Sequence, residues 1–226
     1  ADMATCAKWQ VPIVITSLGA REELNHAVHG WGGITLHDII DDRFARKAIE
    51  KGADGLIAVA AGAGGHAGRW SPFGLVQEIR NWFDGPLALS GAIATGGAVL
   101  AAKAMGADFA YIGSPFIATP EARAPDDYKA AICEAGAADI VTSALFTGVS
   151  GNYLRQSIVA AGLNPDDLPQ PGPDAMNFQS ATGAKAWRDI WGSGQGIGTI
   201  DKVVPTAELN ARLSGEYADG KTRLCD

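Results

Sequence analysis

The sequence is short of charge, short of cysteine and without a long apolar run. Only 19 % of its 226 residues are charged against 47 % hydrophobic, and the balance is a net −7 with a pI near 5.0. An acidic chain lacks the basic face that nucleic acid or an anionic membrane requires, so neither is expected as a main partner. The three cysteines, Cys6, Cys133 and Cys225, stand far apart with no C-x-x-C spacing. Zinc and disulfide frameworks are thereby excluded as readings, and a reducing cytoplasm is the expected setting. His26 and His29 share a helical face but have no third ligand, so no metal is expected. No apolar stretch reaches the roughly 20 residues of a membrane span. Ala1-Asp2-Met3 carries no signal-peptide pattern, and a methionine behind two residues points to a trimmed start. No linker-like change of composition interrupts the chain, which reads as one main domain with a C-terminal appendix.

What is present is glycine and alanine in particular places. The apolar run Gly55-Leu56-Ile57-Ala58-Val59-Ala60 breaks into Ala61-Gly62-Ala63-Gly64-Gly65-His66-Ala67-Gly68. A buried strand that ends in residues with little or no side chain lets backbone approach a flat or phosphorylated ligand. His66, displayed on that bare backbone, is placed for proton transfer or for a hydrogen bond to a ligand.

Four further apolar runs, 11–16, 33–38, 86–90 and 109–112, alternate with helical patterns over 20–28, 41–51, 73–83 and 98–105. That is the rhythm of an α/β protein with a parallel sheet. Gly52-Ala53-Asp54 and Gly106-Ala107-Asp108 repeat one turn from helix to strand. The spacing of about 25 residues per unit is that of a (β/α)8 TIM barrel of about 250 residues, of which these would be strands 4–8. An open, doubly wound five-stranded sheet is the alternative. Past position 120 the pattern predicts a helix over 126–134, a short extended run or helix start over 139–146, and a lid-like surface loop over 147–155. Irregular chain over 162–183, a last helix over 206–213 and a poorly ordered tail from 215 follow. Residues 1–120 are thus expected to hold the barrel portion, and 121–226 a small helical or irregular extension that could cover the site.

Backbone amides freed at Gly91, Ala92 and Ile93, and at Gly113 and Ser114, can point together at a phosphate, and Ser114 can add its hydroxyl. Either turn alone is ordinary glycine usage; their pairing at adjacent strand ends carries the reading. His37 and Asp38 end another strand, and either face a pocket or hold a loop. Asn152 and Tyr153 read as lid or surface, and Trp70, Ser71, Pro72 and Phe73 as a site wall or plain packing.

Ala63 to Gly68, Ser90 to Gly96 (Ser-Gly-Ala-Ile-Ala-Thr-Gly) and Tyr111 to Phe116 (Tyr-Ile-Gly-Ser-Pro-Phe) resemble, in order, three motifs of the nitronate monooxygenases, formerly 2-nitropropane dioxygenases. The likeness runs from about Val11 to Thr119, and more weakly into Trp191 to Gly196. It implies an FMN-bound eight-stranded barrel that oxidises alkyl nitronates with O2 to carbonyl compounds and nitrite. By that resemblance His66 matches the active-site histidine, and Gly65 lets the flavin ring approach. Gly91 and Ala92, after Ser90, hold the FMN phosphate with Gly113 and Ser114, while Tyr111 and Ile112 lie along the ribityl chain. Two positions depart from the family pattern: Val59 stands where many members have Gln, and Ala92 where the second glycine of the phosphate loop is usual. An FMN-dependent enoyl-thioester reductase using NAD(P)H, and an inactive flavin- or phosphate-binding barrel fragment, are the competing readings. Self-association stays open.

Overall fold

A computed structural model of the chain describes residues 2–169, 185 and 187–225. In chain order these form α1 (Asp2–Lys8), β1 (Ile13–Thr16), α2 (Glu22–His29), β2 (Ile34–Ile39), α3 (Asp42–Glu50), β3 (Gly55–Val59), β4 (Gly65–His66), α4 (Pro72–Arg80), β5 (Leu87–Ser90), α5 (Gly96–Ala104), β6 (Phe109–Ala110), α6 (Ser114–Ile117), α7 (Asp126–Glu134), β7 (Ile140–Ser143), β8 (Gly151–Leu154), α8 (Arg155–Ala160) and α9 (Thr206–Cys225). They belong to two compact units whose segments interleave. A sheet unit takes 1–60, 69–90 and 102–111, and a loop unit takes 61–68, 91–101 and 112–226. The chain therefore does not divide at a single point near position 120.

In the sheet unit all five expected strands form, and they pair in parallel in the order β1-β2-β3-β5-β6. A doubly wound sheet reverses its strand order at a switch point. Here the order follows the sequence, so that alternative falls. Among the described residues β1 and β6 each pair on one side only, so the observed fold is a five-stranded parallel α/β sheet and not a closed ring. The centre is dry. Leu56, Ile57, Leu87 and Leu89 are at most 1 % exposed, with Leu75, Val76 and Ile79 of α4 and Ala45 and Ala48 of α3 also buried. Full burial of each large aliphatic chain is worth about 1.5–3 kcal/mol. The outer strands differ: Ile13 and Phe109 are 50 % and 59 % exposed.

The repeated Gly-Ala-Asp turn has a physical cause. Gly52 and Gly106, just past α3 and α5, sit at φ +85° and +109°, the left-handed region in which a side chain is strained. Each following aspartate then latches onto the neighbouring strand. Asp54 accepts the Thr35 amide at 2.7 Å, and Asp108 accepts the Leu87 amide at 2.9 Å, while their own amides donate back to the Thr35 and Leu87 carbonyls. His29 Nε2 approaches Asp54 at 2.9 Å and Arg80 approaches Asp108 at 2.7 Å. Burial pushes both carboxyls up, but these hydrogen bonds and charges outweigh it and hold both below the usual carboxylate range.

The loop unit has its own antiparallel sheet in the order β4-β8-β7, with Thr142 opposite Asn152 and His66 opposite Gly151. Ile132 of α7 packs with Leu154 and Ile197, and Leu145, Phe146, Tyr153, Ile158 and Ile190 form a second cluster. Two expectations are corrected. The stretch 147–155 is not all surface loop, because β8 is the central strand of this sheet and every one of its residues is buried. The tail is not poorly ordered: α9 continues to Cys225, with Gly220 buried against Leu100. Extended β7 settles the ambiguous run over 139–146. The irregular stretch expected over 162–183 lies outside the described residues from 170 onward.

Candidate active site

Of the ten residues singled out from sequence, the loop unit holds Gly65, His66, Gly91, Ala92, Ile112, Gly113 and Ser114, whereas Val59, Ser90 and Tyr111 belong to the sheet unit. There the Ala60 amide donates to the Ser90 carbonyl at 2.8 Å, and Tyr111 donates to Leu89. Val59 and Ser90 are half-buried, and Tyr111 is exposed.

Within the loop unit the glycine loop and the two turns are tied together by a fourth stretch, Ser193-Gly194-Gln195-Gly196. The Gly62 carbonyl accepts the amides of Ala92 at 3.1 Å and Gln195 at 2.9 Å. Ser114 Oγ accepts the Gly194 amide at 2.9 Å, and Ser193 Oγ lies 3.4 Å from it. These approaches demand bare backbone. A Cβ on Gly64 would stand 2.7 Å from Gly194 N, and one on Gly196 would stand 2.6 Å from the Ala92 carbonyl oxygen. The Ala92 amide, expected to grip a phosphate, is thus committed to Gly62. Ala92 also sits at φ +53°, where an L side chain is strained. The amides of Gly91, Ile93, Gly113 and Ser114 have no hydrogen-bond partner among the described residues, and a Cβ on Gly113 would meet open space. Gly91 and Ile93 are buried, so their unpaired donors call for an acceptor.

His66 is half-buried on β4. Its Nε2 lies 2.9 Å from Thr147 Oγ1, and the Trp187 ring stands edge-on to it with centroids 5.1 Å apart. Gly65, at φ +72°, turns its Cα toward the same indole. Tyr153 is wholly buried between Trp187 and Phe146, at 5.5 and 4.8 Å, and its hydroxyl has no hydrogen-bond partner among the described residues. Burial pushes its pKa up, and the nearby Thr147 hydroxyl only partly offsets this. Asn152 is the clamp: Nδ2 donates to the Ala63 carbonyl at 2.7 Å, Oδ1 accepts from Thr142, and its own carbonyl accepts the Ser193 amide. One residue therefore fixes both, its side chain the glycine loop and its backbone carbonyl the Ser193 stretch. Tyr128 stacks on Trp191 at 4.9 Å and donates to the Gly192 carbonyl, with its phenol pushed up to about 12 by burial.

Sequence reasoning does not single out Thr147 or Gln195, and it reads Asn152 only as lid or surface. The alternating glycines of Gly192 to Gly196 were the available signal for Gln195. The other two depend on sheet register, which the sequence leaves open. Other candidates are placed elsewhere. His37 is 3 % exposed in the sheet unit, 2.5 Å from Thr16 Oγ1, and desolvation pushes its pKa down. His29 serves Asp54, and no metal-holding cluster exists among the described residues. Trp70 and Phe73 are exposed.

A family model described as nitronate monooxygenase matches residues 2–216. Among curated relatives, a nitronate monooxygenase of Paraburkholderia phytofirmans is 27 % identical over 191 residues, covering 76 % of this chain and 51 % of that protein. A (3aS,4S,5R,7aS)-5-hydroxy-7a-methyl-1-oxo-octahydro-1H-indene-4-carboxyl-CoA dehydrogenase of Rhodococcus jostii is 26 % identical, covering 94 % and 62 %. The solved nitroalkane oxidase of Streptomyces ansochromogenes superposes with a TM-score of 0.82 at 27 % identity, covering 98 % of this chain and 68 % of that one. The chain spans about half the length of the curated relatives it matches.

Proposed function

The chain belongs to the nitronate monooxygenase family, a family of oxidoreductases, and from that premise we propose that it oxidises alkyl nitronates with O2 to carbonyl compounds and nitrite, with FMN as cofactor. The observation that carries this reading is the pairing of unused amides with one half-buried imidazole. Gly91, Ile93, Gly113 and Ser114 offer donors of the kind a phosphate monoester takes, and His66 sits in the same unit on a backbone cleared by glycine. Ala92 contributes shape rather than its amide. When bound, FMN supplies the redox chemistry, and the protein supplies placement, charge and exclusion of water. His66 either hydrogen-bonds the oxygens of an anionic nitronate or takes the α-proton of a neutral nitroalkane. The Trp187 indole keeps that face of the imidazole apolar, and the buried Tyr153 ring packs in turn on the indole.

The parallel strands, in sequence order and with apolar side chains exposed on both outer strands, support a finer reading of the fold as the last five strands of a (β/α)8 barrel. No helix among the described residues is long and apolar enough to cross a membrane, and a cytoplasmic site of action is part of the proposal.

The test is nitrite release from a preformed nitronate by the full chain supplied with FMN and no NAD(P)H. His66→Asn should lower turnover of neutral nitroalkane by about 10²–10⁴-fold. A relative named as a dehydrogenase of an indene-carboxyl-CoA keeps a second reading in view, reduction of an enoyl thioester by NAD(P)H. Thioester-dependent NAD(P)H oxidation without nitrite release would replace the first reading by the second. A chain that takes up FMN and turns over neither substrate would leave only the inactive binding fragment.

A further inference from the structure

We propose that Thr147 is a positioning residue that holds the neutral His66 ring with its proton on Nε2, leaving Nδ1 as the atom that takes the substrate proton. The argument is a count of hydroxyl valences. A threonine hydroxyl has one proton and two lone pairs. Thr147 Oγ1 lies 3.1 Å from the Val149 carbonyl oxygen, 3.4 Å from the Val149 amide and 2.9 Å from His66 Nε2. The proposal gives the hydroxyl proton to the Val149 carbonyl, which can only accept. An amide can only donate, so one lone pair is taken. The remaining lone pair faces Nε2, and that contact is a hydrogen bond only when Nε2 carries the proton.

One further observation agrees with this count. His66 Nδ1 has no hydrogen-bond partner among the described residues, so the unprotonated nitrogen is the unoccupied one. Register brings the two side chains together. His66 pairs with Gly151 in the antiparallel sheet, and the turn that leads into β8 brings Thr147 to the ring's Nε2. The second nitrogen of a working histidine is often fixed in this way, and such a partner sets both tautomer and orientation.

The proposal rests on the nitroalkane reading of the site. In the step it describes, the α-carbon C–H bond of a neutral nitroalkane breaks and its electron pair stays on the substrate as nitronate. The proton forms a new N–H bond at Nδ1, and the resulting imidazolium keeps its Nε2–H on Thr147. Nothing is oxidised or reduced. A nitronate supplied ready-made skips this step.

The experiment joins a spectroscopic readout to a kinetic one on the isotope-labelled full chain. Long-range nitrogen–proton correlation spectra of the four histidines, with His66→Asn to assign the ring, report which nitrogen is protonated. The wild type should show His66 with its proton on Nε2. Thr147→Val should give a mixture of tautomers and lower kcat/KM for neutral nitroalkane by about tenfold, a fraction of the general-base contribution, while preformed nitronate changes less than about twofold. Thr147→Ser should restore both. A wild-type ring protonated on Nδ1, an unaltered spectrum in Thr147→Val, or equal losses on the two substrates would overturn the proposal. The wild-type spectrum decides even if Thr147→Val does not fold. A wild type without activity on either substrate would defeat the functional reading and leave the tautomer result standing.

Discussion

The two units keep their shape by the same means in different proportion, and both bury polar side chains, Asn25, Thr35 and His37 in one and Asn152, Ser157 and Ser193 in the other. The sheet unit fills its centre with aliphatic side chains and sets its charges at strand starts, where Asp54 and Asp108 latch neighbouring strands. The loop unit buries polar groups, Asn152, Ser157 and Ser193 among them, and brings backbone to within touching distance of backbone at Gly64, Gly194 and Gly196. A unit held by volume relaxes partly around a lost methyl group. At Gly64, Gly194 and Gly196 an added methyl group meets backbone, which can give little. Catalytic geometry is better served by the second arrangement, because a shift of about 1 Å in a reacting group can cost 10²-fold in rate.

The largest effect should come from the sheet centre. Leu89→Ala leaves a cavity at a residue 1 % exposed and should cost about 3 kcal/mol in denaturant unfolding. Next is Gly64→Ala, whose added methyl meets the Gly194 amide and Ser193 backbone; a loss of about 2 kcal/mol is expected, together with loss of the His66 environment seen by NMR. The control is Gly74→Ala in α4, where a Cβ meets nothing and helix propensity predicts a gain of up to about 1 kcal/mol. If the two alanines behave alike, the contrast between the units is mistaken.

Smaller still are the latches. Asp54→Asn and Asp108→Asn should each cost about 1 kcal/mol, since a neutral amide keeps an acceptor but loses the charge. Both carboxyls have a folded pKa below the ordinary value of 3.8. Their contribution is therefore fully present above that value and is lost as the pH falls through the lower folded values. Wild type and double variant should accordingly converge in stability under acid. Smallest is Ala92→Gly, which relieves a strained positive φ and should gain about 0.5 kcal/mol after the entropy cost of glycine.

Much of the sheet unit was legible because its strands announce themselves by apolar runs, and its turns by the Gly-Ala-Asp repeat. Strand order was not, since parallel pairing depends on how crossovers wind. In the loop unit the glycines and His66 could be read, as could the three motifs and their order. The surroundings of His66 could not. Gly151 to Leu154 shows no strong period, and its neighbours in the sheet lie about ten and 85 residues away in the chain, at Thr142 and Gly65. Local sequence offers the Ala92 amide to a phosphate, because it shows a free donor and not the distant Gly62 carbonyl that takes it.

The sequence by itself determined the alternation of strand and helix, the family, and the imidazole set among glycines, because each is written in contiguous residues. Only the tertiary structure decided which amides stay unpaired, that Asn152 and Tyr153 are buried, and which hydroxyl holds His66. Those outcomes depend on hydrogen-bond valences being filled across long chain separations, and no local pattern carries that count.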